Sequence, residues 1–344
     1  MGQMIPDLAA TSRASITKIK PNGIPNGINT AGKKCQHDPT FTQKVIAATG
    51  PNANPRLAQI FPSLVRHLHD FAREVNLTVG EWSAAVDFVW LPRLPNPTLS
   101  LTPPPPPPQL NDCGKMSSDR RNETQLLCDI LGLESLVDEI TSKQLATSTT
   151  QTPSAILGPF YRSDAPFLPN GTSIVQGLSP SVSWYEKALE DSAFLSGKVL
   201  STDGKPIENA VVDVWHTAPN GLYEQQDSDQ PEMNFRGRFR TDQQGRYALY
   251  ALRPVPYPIP DDGPAGRLLG LLDRHPNRPG HIHFIVSAEG HRALTTQLYD
   301  SRDRWVDDDA VFAVKDELVV RFEPREGDPG ARWELGYDFI LGRC

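Results

Sequence analysis

The sequence predicts a mainly β protein, an antiparallel β-sandwich core with an N-terminal α-helical region ahead of it. Three observations carry this. From Phe194 onward, short apolar runs alternate with glycine-containing turns at intervals of about 8–12 residues. Upstream, apolar residues recur at three- and four-residue spacing, the helical period. Near the C-terminal end, His281 and His283 lead into Phe284-Ile285-Val286, an apolar and partly β-branched run that reads as a buried strand.

Residues 1–40 are rich in Gly, Pro, Asn and Lys without a period, and read as a disordered tail. Residues 41–150 form the helical region. Phe61, Leu64, Leu68, Phe71 and Val75 make one apolar stripe. Thr78 with Glu81 is a capping box opening a second helix through Trp82, Val86 and Phe88. A third helix is expected from about Asp119 to Ile140, carrying Leu126, Leu127, Ile130, Leu131 and Leu136. Between them, residues 91–113 hold Pro103 to Pro108, a run that can only be extended, and read as a proline-rich surface insert. Residues 151–344 form the sandwich. Strands are expected at Leu195–Leu200, Ala210–Trp215, Phe235–Thr241, Gly245–Leu252, His281–Ser287 and Ala293–Tyr299, with turns at Asp203-Gly204 and Asn220-Gly221.

The chain has 344 residues and a formal charge of −7, which argues against nucleic acid or an anionic membrane as its partner. Cys35, Cys113, Cys128 and Cys344 are scattered without paired spacing and read as free thiols of a reducing compartment, hence a cytoplasmic protein. The first residues lack the apolar run of a secretion signal, and no 18-residue apolar stretch occurs, so no membrane span is expected. The Asn-x-Thr triplets at Asn76, Asn122 and Asn170 are then not glycosylated.

On a strand, residues i and i+2 face the same side, so both imidazoles of His281 and His283 can reach one metal ion. Two ordinary strand histidines would look the same. Tyr223 follows the Asn220-Gly221 turn, and Tyr257 lies between Pro256 and Pro258, which restrict its backbone. A phenol is a poor ligand for most divalent ions, but a hard trivalent ion such as Fe(III) can deprotonate it. Read alone, each tyrosine is sooner an ordinary core aromatic than a ligand.

The stretch Leu195-Ser196-Gly197-Lys198-Val199 through Gly204, Ile207, Val212-Asp213-Val214 and Gly221-Leu222-Tyr223 resembles the intradiol ring-cleavage dioxygenases, as does Arg278-Pro279-Gly280-His281-Ile282-His283-Phe284 with Thr295-Thr296-Gln297. The resemblance runs from about Leu57 to Phe322. It implies one Fe(III) per subunit held by Tyr223 and His281 (equatorial) and by Tyr257 and His283 (axial), with Tyr257 leaving when substrate binds. It further implies that Arg278 and Gln297 face the substrate, that the helical region makes a homodimer, and that phospholipid sits at that interface. The resemblance implies a small aromatic diol and O₂ as substrates.

Three features resemble the hydroxyquinol 1,2-dioxygenases in particular. They are the string Tyr257-Pro258-Ile259-Pro260-Asp261-Asp262-Gly263-Pro264, the acid in Leu126-Leu127-Cys128-Asp129, and Asp309-Ala310-Val311-Phe312, which puts Val311 over the ring. Ile156, Gly158, Pro159, Phe160 and Tyr161 would complete the pocket with Leu126. Asp129 could accept a hydrogen bond from a third ring hydroxyl, or be a helix-surface or intrahelically paired acid. The expected activity is cleavage of hydroxyquinol (1,2,4-trihydroxybenzene) to 3-hydroxy-cis,cis-muconate. The alternative is catechol giving cis,cis-muconate; an alternative of another class is a transthyretin-like β-sandwich binding module without metal. A zinc hydrolase lacks a third histidine or carboxylate at a suitable place. His216 is expected to be structural and His291 exposed. His67 and His69, two apart on a helix, are poor co-ligands. His275 is assigned to a loop near the site.

Overall fold

The computed structural model describes residues 38–90, 110–118, 120–145 and 151–344. The helices are α1 (Phe41–Ala47), α2 (Pro55–Glu74), α3 (Val79–Trp90), α4 (Leu110–Met116), α5 (Glu123–Ile130), α6 (Leu133–Leu145), α7 (Tyr185–Glu190) and α8 (Pro264–Leu271). The strands are β1 (Ser192–Ser201), β2 (Val211–Trp215), β3 (Arg236–Arg240), β4 (Arg246–Leu252), β5 (Tyr257–Pro258), β6 (Asn277–Arg278), β7 (His281–Ser287), β8 (Leu294–Asp300), β9 (Val319–Val320), β10 (Glu323–Pro324), β11 (Trp333–Gly336) and β12 (Phe339–Leu341).

Local chemistry accounts for the helix starts. Asn54 accepts from the Arg56 and Leu57 N–H groups, both at 3.1 Å, just ahead of Pro55 at the first helical position of α2. Thr78 and Glu81 form the expected box. The Thr78 N–H donates to Glu81 Oε2 at 3.0 Å and the Glu81 N–H to Thr78 Oγ1 at 3.3 Å. The expected stripe of α2 is split, however. Phe61 is buried with Val65, His69 and Ala72, whereas Ile60, Leu64, Phe71 and Val75 are exposed. Helical period locates apolar residues but does not say which of two adjacent faces meets a neighbour.

The single helix expected over 119–140 is two. α5 ends at Ile130 with Leu131 as its C-cap and α6 begins at Leu133, because Gly132 takes φ +70° and its N–H turns back to the Asp129 carbonyl at 2.9 Å. A Cβ there would come within 2.7 Å of Val45 Cγ2, so the turn also admits α1 closely. Of the expected tail, only residues 38–40 are described. The expected insert lies outside the described residues up to 109, and α4 occupies its last residues, where an extended loop was expected.

Two five-stranded sheets stack to make the sandwich. One runs β10-β11-β1-β12, with β4 on the other edge of β1; the second runs β3-β2-β7-β8-β9. All six expected strands are present. Most pairings are antiparallel, but β11 and β12 pair with β1 in parallel, as β9 does with β8, so the sheets are mixed. Leu195, Val199 and Leu249 meet Val212, Val214, Ile282, Phe284 and Val286 in the core between the sheets. Alternation along β7 then has one consequence for function: with Ile282, Phe284 and Val286 turned inward, His281 and His283 lie on the opposite face of the second sheet. Over that face stand Leu126 and Asp129 of α5 and the loop residues Gly158, Pro159, Phe160, Ile259 and Val311.

Candidate active site

The register of the second sheet builds a row of side chains on its outer face. His281 is opposite Tyr299, and His283 is opposite Gln297 on one side and Trp215 on the other. The His283 ring stacks on Trp215 with centroids 4.7 Å apart and planes 8° from parallel, which sets its orientation. The His281 Nδ1–H donates to the Pro279 carbonyl at 2.7 Å, leaving Nε2 as a bare acceptor. Tyr257 enters from β5, whose two residues pair with β6 so that Tyr257 lies opposite Arg278. Tyr223 comes from the loop after β2, its N–H held by Gln226 Oε1 at 3.0 Å. Gly221 (φ +80°) lets that loop pass Tyr257, since a Cβ would stand 3.0 Å from the Tyr257 Cβ.

Four donor atoms converge as a result. Tyr223 Oη is 3.2 Å from Tyr257 Oη and 3.1 Å from His283 Nε2. Tyr257 Oη is 3.4 Å from His281 Nε2, and the two imidazole Nε2 atoms are 3.1 Å apart. Donors about 2.1 Å from a shared ion stand about 3.0–3.4 Å from one another at angles of 90–110°. The quadrilateral therefore fits a single first-row metal ion. Burial pushes both phenols above the usual tyrosine range, Tyr257 raising Tyr223 further, and holds both imidazoles neutral, with Arg278 adding to the effect. Two neutral imidazoles and two phenols that ionise only beside a strong cation are the donor set of a hard, highly charged ion. Among the described residues no group of three or more His, Cys, Asp or Glu side chains converges, so a zinc-hydrolase set is not assembled.

A recess of about 340 Å³, open space at its mouth included, lies against these donors. Leu126, Asp129, Gly158, Pro159, Phe160 and Val311 line it, together with Tyr223, Tyr257, His283 and Arg278. Gly158 (φ +78°) brings the wall close, for a Cβ there would be 3.3 Å from His283 Cε1. Two expected lining residues are elsewhere. Ile156 is in the apolar layer behind the wall, where its carbonyl accepts from Gln297 Nε2 at 2.7 Å. Tyr161 turns away, packing on Trp215 and placing its hydroxyl 3.4 Å from Asp213, a carboxyl that burial pushes up to about 6. Ile259 and Pro260 line the recess in their place; both stand in the string that carries Tyr257, which was the available signal.

Arg278 is fixed from three sides. Asp309 accepts from its Nε at 3.0 Å and Nη2 at 3.1 Å, Gln297 Oε1 accepts from Nη2 at 3.0 Å, and Nη1 lies 3.0 Å from His281 Nε2. Gln297, expected to face substrate, is not among the residues lining the recess: its Oε1 accepts from Arg278 and from the Tyr299 hydroxyl at 2.7 Å, while its Nε2 is tied to the Ile156 carbonyl. Asp309, Tyr299 and Trp215 were not anticipated as site residues. Strand alternation could have placed Trp215 and Tyr299 on the histidine face.

Asp129 is buried, which excludes a helix-surface acid. It shares a hydrogen bond with Glu134, another residue not anticipated. The remaining histidines stand apart from the centre. His216 Nδ1–H donates to the Thr217 carbonyl, 2.7 Å away, in the core. His69 is buried between Thr42 and the Leu131 carbonyl, while His67 is exposed. His275 stacks on Trp305 and meets Asp308 at 3.2 Å. His291 is half-buried rather than exposed, with Nδ1 2.9 Å from the Glu289 carbonyl.

Comparison with known proteins agrees with this geometry. Residues 167–343 match the family model described as Dioxygenase, and residues 54–91 and 109–149 match Catechol dioxygenase N terminus, the gap falling on the proline-rich stretch. The chain is 46% identical over 307 residues to catechol 1,2-dioxygenase of Candida albicans, covering 88% of this chain and 91% of the relative. It is 40% identical to an intradiol ring-cleavage dioxygenase of Aspergillus niger, covering 88% of each. The solved hydroxyquinol 1,2-dioxygenase of Pseudomonas putida is 36% identical with a TM-score of 0.59, covering 88% of this chain and 98% of that one. A β-sandwich that turns two tyrosines and two strand histidines onto one point, joined to the matching helical region, places the chain in the intradiol ring-cleavage dioxygenase family.

Proposed function

We propose that the protein cleaves hydroxyquinol with O₂ to 3-hydroxy-cis,cis-muconate, the tautomer of maleylacetate, with one Fe(III) per subunit held by Tyr223, Tyr257, His281 and His283. The intradiol dioxygenases are in general non-haem iron enzymes, and the donor set here suits that ion. The observation that carries the substrate assignment is Asp129, with its Oδ1 unpartnered, as the one acid lining a recess whose other walls are apolar groups, the metal donors and Arg278. A third ring hydroxyl would meet it. The 46% identity to a catechol 1,2-dioxygenase favours a second reading, cleavage of catechol to cis,cis-muconate. A metal-free binding module has no use for the four converging donors.

Iron, when bound, acidifies the diol hydroxyls and draws electron density from the ring, opening it to O₂. The chain's own residues do the rest. Pro159, Phe160, Ile259 and Val311 hold the ring flat and exclude water. Tyr257, if held as a phenolate beside the ion, would take up one of the diol's protons at its Oη. Arg278 directs a fixed cation at the reacting carbons, and Asp309 with Gln297 keeps it aimed. Oxygen uptake with the two substrates side by side tests the assignment. Hydroxyquinol is expected to be the faster substrate, and a catechol rate tenfold higher would overturn it. The purified protein is expected to be wine-red from phenolate-to-Fe(III) charge transfer; a colourless iron-loaded protein would overturn the ligand set.

The remaining partners belong to this proposal. Ile60, Leu64, Phe71 and Val75 expose one face of α2, and a second copy with phospholipid between the two would cover it. Sedimentation is expected to show a dimer, converted to monomer by Leu64→Glu with Phe71→Glu, and native mass spectrometry to show the lipid. No described helix is long and apolar enough to cross a membrane. We place the protein in the cytoplasm, where Cys113, Cys128 and Cys344 remain free thiols, as cell fractionation can check.

A further inference from the structure

We propose that Glu134 is a positioning residue that keeps a proton on Asp129, so that Asp129 meets the substrate ring as a neutral acid whose free Oδ1 accepts from a third ring hydroxyl. The inference rests on the ring-cleavage reading above. Asp129 and Glu134 face each other across the turn at Gly132 and share a hydrogen bond, with residue exposures of 1% and 2%. Two carboxyl groups in such contact cannot both be ionised. Their surroundings divide the roles. Gln125 Nε2 donates to Glu134 Oε1 and Oε2, both at 3.2 Å, and the Leu157 N–H donates to Oε1 at 3.0 Å. Burial raises the Glu134 carboxyl as well, but these donors oppose it there and favour the carboxylate on Glu134 over one on Asp129. Asp129, which lines the recess, has no such donors, and its Oδ1 is buried without a partner. The shared proton therefore belongs to Asp129 and is donated to Glu134.

The charged and titratable groups around the pair agree. Asp138 faces Glu134 but is paired with Lys315 Nζ at 2.7 Å. Cys128 adds to the pressure against a charge on Asp129, while Arg278 opposes it and is answered by Asp309. Burial and Glu134 together hold the Asp129 carboxyl well above its ordinary range. A neutral acid suits this place. An ionised Asp129 would repel a ring already carrying the charge of a deprotonated diol, whereas a carbonyl-like oxygen accepts a hydroxyl proton without that penalty.

The test uses the iron-loaded full chain and three variants. In Asp129→Asn the amide oxygen replaces Oδ1 and the amide N–H replaces the donated proton. That variant is expected to keep the hydroxyquinol-to-catechol ratio of kcat/KM within about threefold of the parent. Asp129→Leu removes the acceptor and is expected to shift the ratio toward catechol by about tenfold or more. If Asp129→Asn shifts the ratio as far as Asp129→Leu, charge rather than a neutral acceptor binds the ring, and the proposal is overturned. A second readout needs no turnover. The infrared difference between parent and Asp129→Asn apo-proteins at neutral pH is expected to show the C=O band of a protonated carboxyl. In Glu134→Gln that band is expected to titrate away at lower pH, because the neighbouring charge that held the proton is gone. Absence of the band in the parent, or its indifference to Glu134→Gln, would overturn the proposal. A wild-type protein taking up no oxygen with either substrate would instead sink the ring-cleavage reading, and the infrared result would stand apart from it.

Discussion

Tyr223→Phe is expected to lower ring cleavage on the order of 10³-fold and to strip much of the visible absorption of the iron-loaded protein, while leaving the fold intact. A Lewis-acid centre contributes several kcal/mol to the barrier, and each 1.4 kcal/mol is tenfold in rate. The substitution deletes one oxygen and nothing else. The ring would keep its packing on Phe160, with centroids 4.9 Å apart, and its place beneath Arg236, 5.7 Å from the ring centre. The hydroxyl itself touches Tyr257 and His283, both members of the candidate metal site. This separates two roles cleanly. If Tyr223 were a core tyrosine, losing a hydrogen-bonded hydroxyl would cost about 1 kcal/mol of stability and leave iron content unchanged. If it is a ligand, bound iron and its charge-transfer band fall while the melting temperature of the apo-protein barely moves. Unchanged iron stoichiometry and spectrum in the variant would remove Tyr223 from the site.

Much of this centre was legible in the sequence because it rests on local periods. The alternation of His281, Ile282, His283 and Phe284 dictates which side of β7 each residue faces, and no distant contact can change that without breaking the strand. Tyr223 and Tyr257 were not legible in that way: their local sequence reads as that of core aromatics, and only the resemblance to a family singled them out. What remained hidden depends on where distant segments pass each other. Asp309 reaches Arg278 from 31 residues away, and nothing in its neighbourhood marks it as a clamp. Tyr161 and Ile156 sit in a loop whose side chains follow no period, so their directions could not be inferred. Gly132 stands inside an otherwise continuous helical pattern, where a glycine costs only about 1 kcal/mol, too little to announce a break. The C-terminal strands β11 and β12 are too short to show a pattern and exist because β1 offers them an edge.

Arg278→Met is expected to lower kcat by about 10²–10³-fold with bound iron retained, the range found when a fixed group stabilising transition-state charge is removed. The guanidinium is buried, and its Nη1 lies 3.0 Å from His281 Nε2, so its charge acts at the metal site with little screening. Methionine preserves most of the stem and none of the charge. The variant is also expected to lose about 3–5 kcal/mol of stability, because Asp309 stays buried after its partner is gone. Asp309 retains the Val311 and Ala313 N–H groups at 3.3 and 3.1 Å, which limits that loss. Stability and rate are therefore entangled in this variant, and Asp309→Asn disentangles them. It leaves the arginine charge and loosens only its two-pronged hold, so kcat is expected to fall about 10–100-fold with a smaller change in KM. A pure stability effect would lower the amount of active enzyme and leave kcat per iron unchanged in both. An Arg278→Met protein that is folded, iron-loaded and within about threefold of the parent kcat would show that this cation does not act on the transition state, and the role would pass to the metal alone.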